Sequence, residues 1–537
     1  MNVRAALVLL ALLAAPSVAE DATWTAEQKG VGVPMRDGKS LAADVFLPAK
    51  PGRYPAVVVQ TPYNRVLNRV ALAGMSDTGF WDREHYAYVV SDWRGFFGSR
   101  GAGRLRPGQL GQDGCDLVEW TAAQPWCDGK VGTWGPSALG RVQFETAAEQ
   151  PPHLVCCVPL VAPIGQRYED YYEGGVLREA HVDKLDALGF GVGALVRAAP
   201  SPDAAAWRLV ESLDRTERLN VPMLFITGWY DLGTRRELDS FRALVERGGP
   251  KARDGARLLV GPWNHMGIDR AEQGDLSFPS AAGEPARETK QFLDFHLRGK
   301  TDNGWAARPR VRVWRINEEG WTGGDAWPPA GAERSFQLRS DGRVEPVDAH
   351  DFGGVEKSRR YVDDPAAPVP TIGGANLPAP GLTFGPRDQT SLLAGDDVLV
   401  YTTAVLDEPL RLDGAARVRA LVQADRPSAD VAVRLCEVLA DGRTMLVADA
   451  IRRAALTEGK FAEVEVTLPP LAVTFPTGGR LRLVVAGSNW PRYERNPHTG
   501  DPHFDPAKSR PANVELLGGS LVLRVLPAAK PSATDGK

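Results

Sequence analysis

The sequence predicts an α/β domain on a mostly parallel sheet, followed by an all-β domain. Three observations point there. Buried-type strand runs alternate with helix-like segments as far as residue 304. The pattern then changes to short β-rich runs separated by Gly, Pro and Asp turns. A length of 537 residues also exceeds what a single core organises.

In chain order, residues 31–47 read as a hairpin that turns at Arg36-Asp37-Gly38. Strands follow at 56–60, 86–91, 130–134, 154–160, 222–227 and 257–261. Helical spacing marks 113–123, the segment after Ser137, 235–246 and 287–297. Residues 163–219 carry helical patterns and no strand-like run, so they read as a helical cap inserted into a core made of 20–162 and 220–304. Strand-like runs at 311–316, 335–339, 398–406, 416–424, 431–439, 445–452, 461–468, 481–486 and 520–526 make 305–527 a β sandwich of the jelly-roll kind. The Pro-rich stretch 363–386 reads as an ordered loop, and 528–537 as a flexible tail.

Composition narrows the class. Hydrophobic content of 43% and charged content of 24% are those of a folded globular chain. A formal net charge of -4 gives no support to a nucleic-acid partner. No apolar run beyond the N-terminal segment is long enough to span a bilayer. At the N-terminus, Arg4 precedes the apolar run 5–16, and Ser17-Val18-Ala19 leads into Glu20-Asp21. That order reads as a secretory signal, residues 1–19, cleaved near Ala19, with export to a periplasm or the medium. The five cysteines are Cys115, Cys127, Cys156, Cys157 and Cys436, an odd number that leaves at least one unpaired. Cys115 and Cys127 are spaced to close a small loop. Cys156 and Cys157 point to opposite faces of one strand and do not pair with each other. None has metal-ligand spacing, and burial is the expected role of most of them.

The stretch Gly132-Thr133-Trp134-Gly135-Pro136-Ser137-Ala138-Leu139-Gly140 carries the chemistry. It joins a strand to a helix, and a serine among small residues at such a turn is how an α/β-hydrolase lifts its nucleophile clear of the sheet. Leu139 stands where the commoner pattern has its second glycine, so the turn reads equally as a glycine-rich strand-to-helix junction until the rest of the chain is weighed. A neutral hydroxyl needs a base, and the base an orienting carboxylate. In this fold the acid precedes the histidine, each on a loop after a strand. Gly228-Trp229-Tyr230-Asp231 and Gly261-Pro262-Trp263-Asn264-His265 occupy those two positions. The bland alternatives are a helix cap for Asp231 and an idle loop position for His265. The oxyanion requires two donors: the Ala138 N–H supplies one, and Tyr63, in the loop Thr61-Pro62-Tyr63, is the candidate for the other.

With these pieces in place the chain resembles the cocaine esterase group of acyl hydrolases, which shares its architecture with X-Pro dipeptidyl-peptidases and α-amino acid ester hydrolases. The resemblance runs from about residue 30 to 527. It rests on Met35-Arg36-Asp37-Gly38, Thr61-Pro62-Tyr63, Asp92-Trp93-Arg94-Gly95, Gln124-Pro125-Trp126-Cys127-Asp128-Gly129, the serine turn, the Asp231 and His265 loops, and Ser488-Asn489-Trp490-Pro491-Arg492 with Arg495-Asn496-Pro497. It implies Ser137 as nucleophile, Asp231 as orienter, His265 as base, and Tyr63 with the Ala138 amide as oxyanion donors. It also implies a small-molecule ester as partner and calls for no metal or cofactor. A homo-oligomer is compatible with it. The chain departs from the group where Ala138 replaces the usual tyrosine. It departs from the amino acid ester hydrolases where Gly233 and Thr234 replace their acidic pair. Glu169, Asp170 and Glu173 of the cap read as a solvated helix end. Ester hydrolysis therefore ranks above α-amino ester or dipeptidyl-peptidase activity, and an inert secreted glycan-binding scaffold is the distant rival.

Overall fold

The computed structural model describes residues 26–67, 82, 84–318, 320–347 and 357–526. The proposed signal segment and the 528–537 tail lie outside them.

The first sheet has ten strands: β1 (Ala26–Pro34), β2 (Ser40–Phe46), β3 (Tyr54–Thr61), β4 (Ala87–Asp92), β5 (Cys127–Pro136), β6 (Leu154–Leu160), β7 (Leu224–Tyr230), β8 (Arg257–Asn264), β9 (Val311–Trp314) and β10 (Trp321–Gly324). Their spatial order is β1-β2-β4-β3-β5-β6-β7-β8-β9-β10. Neighbours from β4 to β9 pair in parallel, and antiparallel hairpins close both edges. The central strands are apolar on both faces, as a sheet covered by helices requires. Val57 and Val59 pack on one side, against Phe292, Leu293 and Leu297 of helix α7 (Glu284–Arg298). Ala56 and Val58 pack on the other, with Leu117 and Val118 of α1 (Gln109–Ala122), Phe144 of α2 (Ala138–Ala148) and Phe241 of α6 (Thr234–Arg247).

The inserted cap holds α3 (Glu179–Ala187), α4 (Gly193–Arg197) and α5 (Ala205–Glu211). It has its own small core of Tyr168, Tyr171, Tyr172, Val182, Val196 and Trp207. The sequence reading expects no strand here, yet Tyr172–Glu173 and Val176–Leu177 form a short hairpin turning on Gly174-Gly175. The reason is docking: a Cβ on Gly174 would lie 2.2 Å from the Ile451 carbonyl of the β domain, and the Arg453 N–H donates to the Gly174 carbonyl at 2.8 Å.

The second half is all β. Its strands join in one twelve-stranded sheet that turns on the long strand Ala512–Val525. That strand pairs with Ala332–Leu338, Ser358–Asp363 and Arg417–Ala424. The structure differs from the sequence reading at three points. The run at 311–316 is β as expected, but Val311–Trp314 pairs in parallel with Arg257–Asn264 and so completes the first sheet. Alternation predicts a strand without naming its partner, and the first sheet thus extends beyond residue 304 to Gly324. Leu410–Gly414 and Leu471–Phe475, which the sequence reading does not name, pair with each other at the edge. All five cysteines are free, so the loop between Cys115 and Cys127 is not closed by a disulfide. Cys156 and Cys157 do face opposite sides of the sheet, each in a different core.

Candidate active site

Ser137 sits between β5 and α2 with φ 57° and ψ −121°. A non-glycine residue in that region is strained, and such strain persists only where the surroundings impose it. Here they do. A Cβ on Gly140 would meet the Ala162 Cβ at 2.6 Å and the Gly135 carbonyl at 2.9 Å, so helix and strand approach as closely as backbone allows. The buried Gln143 amide then pins the turn. It donates to the Leu139 and Val158 carbonyls, both at 3.1 Å, and accepts from the Thr133 hydroxyl at 2.9 Å. Ala138 opens α2, so its N–H belongs to the first turn, whose amides have no partner inside a helix.

His265 follows β8, and Asp231 follows β7. The His265 Nδ1–H donates to Asp231 Oδ2 at 2.6 Å, with the histidine side chain 11% and the aspartate 1% exposed. Asp231 Oδ1 accepts from the Gly233 N–H at 2.7 Å. Thus Asp231 holds the turn that starts α6 and orients the imidazole at once. The two strands touch through backbone just before these loops: a Cβ on Gly228 would lie 2.1 Å from the Trp263 carbonyl. Beside His265, the Asn264 amide is locked to Gln273 Oε1 at 2.6 Å.

Tyr63 follows β3, and its hydroxyl lies beside the Ser137 side chain. Burial pushes the phenol above its ordinary value, partly offset by Ser137 and the charge of Arg141. It therefore stays a donor through the alkaline range. Phe190 of the cap meets its ring edge-on at 6.3 Å. The loop bearing it is anchored by Arg65, which reaches Asp92 at 2.7 Å and Asp44 at 3.1 Å. Arg94, from the same Asp-Trp-Arg-Gly stretch, is buried on Asp113 at 2.7 Å. Losing one partner of such a buried pair costs about 3–5 kcal/mol. These motifs hold the frame of the site.

Four residues around the site lie outside the sequence reading: Glu237, His181, Tyr171 and Arg141. Glu237, on α6, is 1% exposed, and neither of its oxygens finds an N–H or O–H donor among the described residues. Its polar neighbours are the Asp231 carboxyl and Thr227, and burial followed by the charge of Asp231 raises it well above the usual carboxylate range. Two adjoining buried carboxylates do not both ionise readily, so Glu237 is held toward its protonated form. The unfolded chain releases that proton near pH 4.3. The native state then binds more protons above that pH, and stability falls as pH rises toward the folded value. Glu237→Gln, which keeps an N–H donor, is expected to flatten this slope. Thermal melts at pH 5 and pH 8 should differ less than in wild type, and an unchanged difference would count against a protonated Glu237.

His181, on α3, is pushed down to about 3 by burial and then by the charges of Arg178, His265 and Arg141, so it is neutral at physiological pH. Its ring lies 6.2 Å from that of Tyr171, and its Nδ1 has no partner among the described residues. His181 and Arg178 line a small cavity with Leu232, Asn376 and Arg492, so cap, hydrolase core and β domain all contribute to it. The cap acids are not a solvated helix end as a group. Glu169 is exposed, but Asp170 pairs with Arg236 at 3.1 Å. Glu173 accepts from the Tyr493 hydroxyl and pairs with Arg178 at 3.0 Å and, more loosely, Arg492 at 3.8 Å. Arg492 is tied to Asp449 at 2.6 Å, and Asn489 donates to the same carboxylate at 2.9 Å. Arg492, at the end of the Ser488–Arg492 motif, and the adjoining Tyr493 thus clamp the β domain to the cap through Glu173.

Comparison with known proteins agrees with this architecture. Residues 37–208 and 199–267 match the family model described as X-Pro dipeptidyl-peptidase (S15 family). Residues 303–521 match that of the X-Pro dipeptidyl-peptidase C-terminal non-catalytic domain. The chain is 30% identical to a cocaine esterase from Rhodococcus sp. (strain MB1 Bresler), over 88% of this chain and 92% of that protein. Among solved structures, an aminopeptidase from a marine sediment Thaumarchaeota archaeon superposes with a TM-score of 0.78 at 23% identity, covering 96% of this chain and 99% of that one. An α-amino acid ester hydrolase superposes with a TM-score of 0.76, also at 23% identity, covering 95% of this chain and 98% of that one. These two share the fold. The chain belongs to the cocaine esterase family of serine hydrolases acting on ester bonds.

Proposed function

We propose that this protein hydrolyses small-molecule esters through an acyl-enzyme on Ser137. His265 takes the hydroxyl proton as the oxygen attacks the carbonyl. Tyr63 and the Ala138 N–H stabilise the oxyanion, and Asp231 holds the imidazole in its working tautomer. The alcohol leaves with the proton from His265. Water then attacks the acyl group by the same route and regenerates the serine. What supports this reading is two pairs at strand ends: His265 on Asp231 at 2.6 Å, and Tyr63 beside Ser137. Asp170 and Glu173 of the cap are held by Arg236 and Arg178, and Gly233 and Thr234 follow Asp231, so among the described residues these positions offer no cluster of free carboxylates for a substrate ammonium. That favours a simple ester over an α-amino ester or a dipeptide. The charged, apolar and small-residue order of residues 4–19 supports export as part of the same reading.

The test is phenyl acetate beside a dipeptidyl-proline anilide. Turnover of the ester alone is expected, with Tyr63→Phe about 10²–10³-fold slower on it. Preferential cleavage of the anilide would replace esterase with peptidase. A rate unchanged in Tyr63→Phe would remove that hydroxyl from the oxyanion site.

A further inference from the structure

One buried amide holds the loop that carries His265. Gln273 is fully buried, and the hydrogen bonds of its side chain all end on residues 264–270. Its Oε1 accepts from the Asn264 backbone N–H at 2.9 Å and from the Asn264 side-chain amide at 2.6 Å. Its Nε2 donates to the Gly267 carbonyl at 2.8 Å and to the Arg270 carbonyl at 2.9 Å. A glutamine amide offers two acceptor sites and two donor hydrogens, and all are used here. Gly267 lets the amides close in: a Cβ there would lie 2.8 Å from Gln273 Oε1 and 3.0 Å from Asn264 Nδ2. Asn264 passes the hold across His265. Its side-chain oxygen accepts from the Met266 N–H at 3.0 Å, and its carbonyl from the Gly267 N–H at 3.1 Å. The backbone on both sides of His265 is thus tied to Gln273.

Gln273 is in turn held from the other domain. It belongs to a short hairpin, Glu272–Gln273 against Leu276–Ser277, that turns at Gly274-Asp275. That turn docks on the β domain. The Asp275 N–H donates to the Pro386 carbonyl at 2.8 Å, and a Cβ on Gly274 would lie 2.1 Å from the same oxygen. The Asp275 carboxylate pairs with Arg387 and accepts from the Asp388 N–H at 3.1 Å. This edge is fastened to the β-domain strand Thr444–Ala455: the Leu446 N–H donates to the Arg387 carbonyl at 3.0 Å, and the Gln389 N–H to the Thr444 carbonyl at 2.7 Å.

We propose that Gln273 is a positioning residue for the general base, and that the β domain contributes to catalysis by holding it. This rests on His265 being that base. Asp231 fixes the imidazole through Nδ1, whereas Gln273 fixes the backbone from which the ring hangs. Both are needed, because a displacement of about 1 Å costs about 10²-fold in rate.

The test measures phenyl acetate kinetics, thermal melting and the rate of Ser137 labelling by a fluorophosphonate. Gln273→Leu removes all of the amide's bonds. Its kcat should fall about 10–100-fold with KM within about threefold of wild type, and labelling should slow in step. Gln273→Glu keeps the acceptor for Asn264, and its protonated form donates to one of the two carbonyls. It should recover part of the loss while staying at least about threefold below wild type. At the seam, Gly274→Ala leaves no room beside Pro386, and Asp275→Ala removes the partner of Arg387 and Asp388. Each should lower kcat about 3–10-fold at unchanged KM. The proposal is overturned if folded Gln273→Leu keeps a wild-type kcat, even with a lowered Tm, since the amide would then serve the fold alone. Where that variant does not fold, a wild-type kcat in Gln273→Glu overturns it equally. Wild-type kcat in both seam variants would overturn the part given to the β domain. Failure of wild type to cleave phenyl acetate, or full activity in His265→Ala, would instead strike at the hydrolytic mechanism itself.

Discussion

Ser137→Ala should slow turnover of an activated ester by about 10⁴–10⁶-fold, the loss seen when a hydrolase forfeits its covalent step. The fold should survive. Ser137 donates no side-chain cap to α2, and the turn is held by other groups: the Gln143 amide, the close approach at Gly140, and backbone bonds to the Ser137 carbonyl. Alanine also accepts the same contacts apart from the hydroxyl. Far-ultraviolet circular dichroism and thermal melting beside initial rates separate the two effects. Loss of activity with loss of fold would leave the serine a structural residue, and retained activity would move the nucleophile elsewhere.

Asp231→Asn is expected to cost about 10⁴-fold in kcat with little change in overall structure. The carboxylate has two tasks here, accepting from His265 Nδ1–H at 2.6 Å and from the Gly233 N–H at 2.7 Å. Asparagine can serve Gly233 with its carbonyl oxygen. Its NH₂ then faces Nδ1 and stabilises the tautomer that carries the proton on Nε2, which cannot accept one from serine. A rate within tenfold of wild type would mean that the His265–Asp231 contact is architectural.

The parts of the site legible in the sequence are those where chemistry follows directly on a hydrophobic strand. Ser137, Asp231 and His265 each come just after such a run, and the order of acid and base in the chain is a topological rule. Glu237, by contrast, sits within a helix whose spacing explains it as an ordinary amphipathic position. Only the packing of α6 on the Asp231 turn makes it a neighbour of the catalytic carboxyl. His181 shares that limit. Nothing in a histidine of a polar helix says which cavity it meets. The clamp between Glu173 and Tyr493 joins positions 320 residues apart. No local pattern carries such a contact, which is why the cap acids read as solvated and the Gly174-Gly175 hairpin as part of a strandless helical cap. Fold class needed less: alternation and burial named the strands, while their partners, as at Val311–Trp314, depended on the assembled sheet.

The most direct measurement is where a covalent probe lands. The protein is treated with a fluorophosphonate, digested, and the modified peptide sequenced by mass spectrometry. This account predicts a single phosphonylated residue, Ser137, with labelling lost in Ser137→Ala and strongly slowed in Asp231→Asn. An adduct on another serine, or none in protein that still cleaves a phenyl ester, would contradict it.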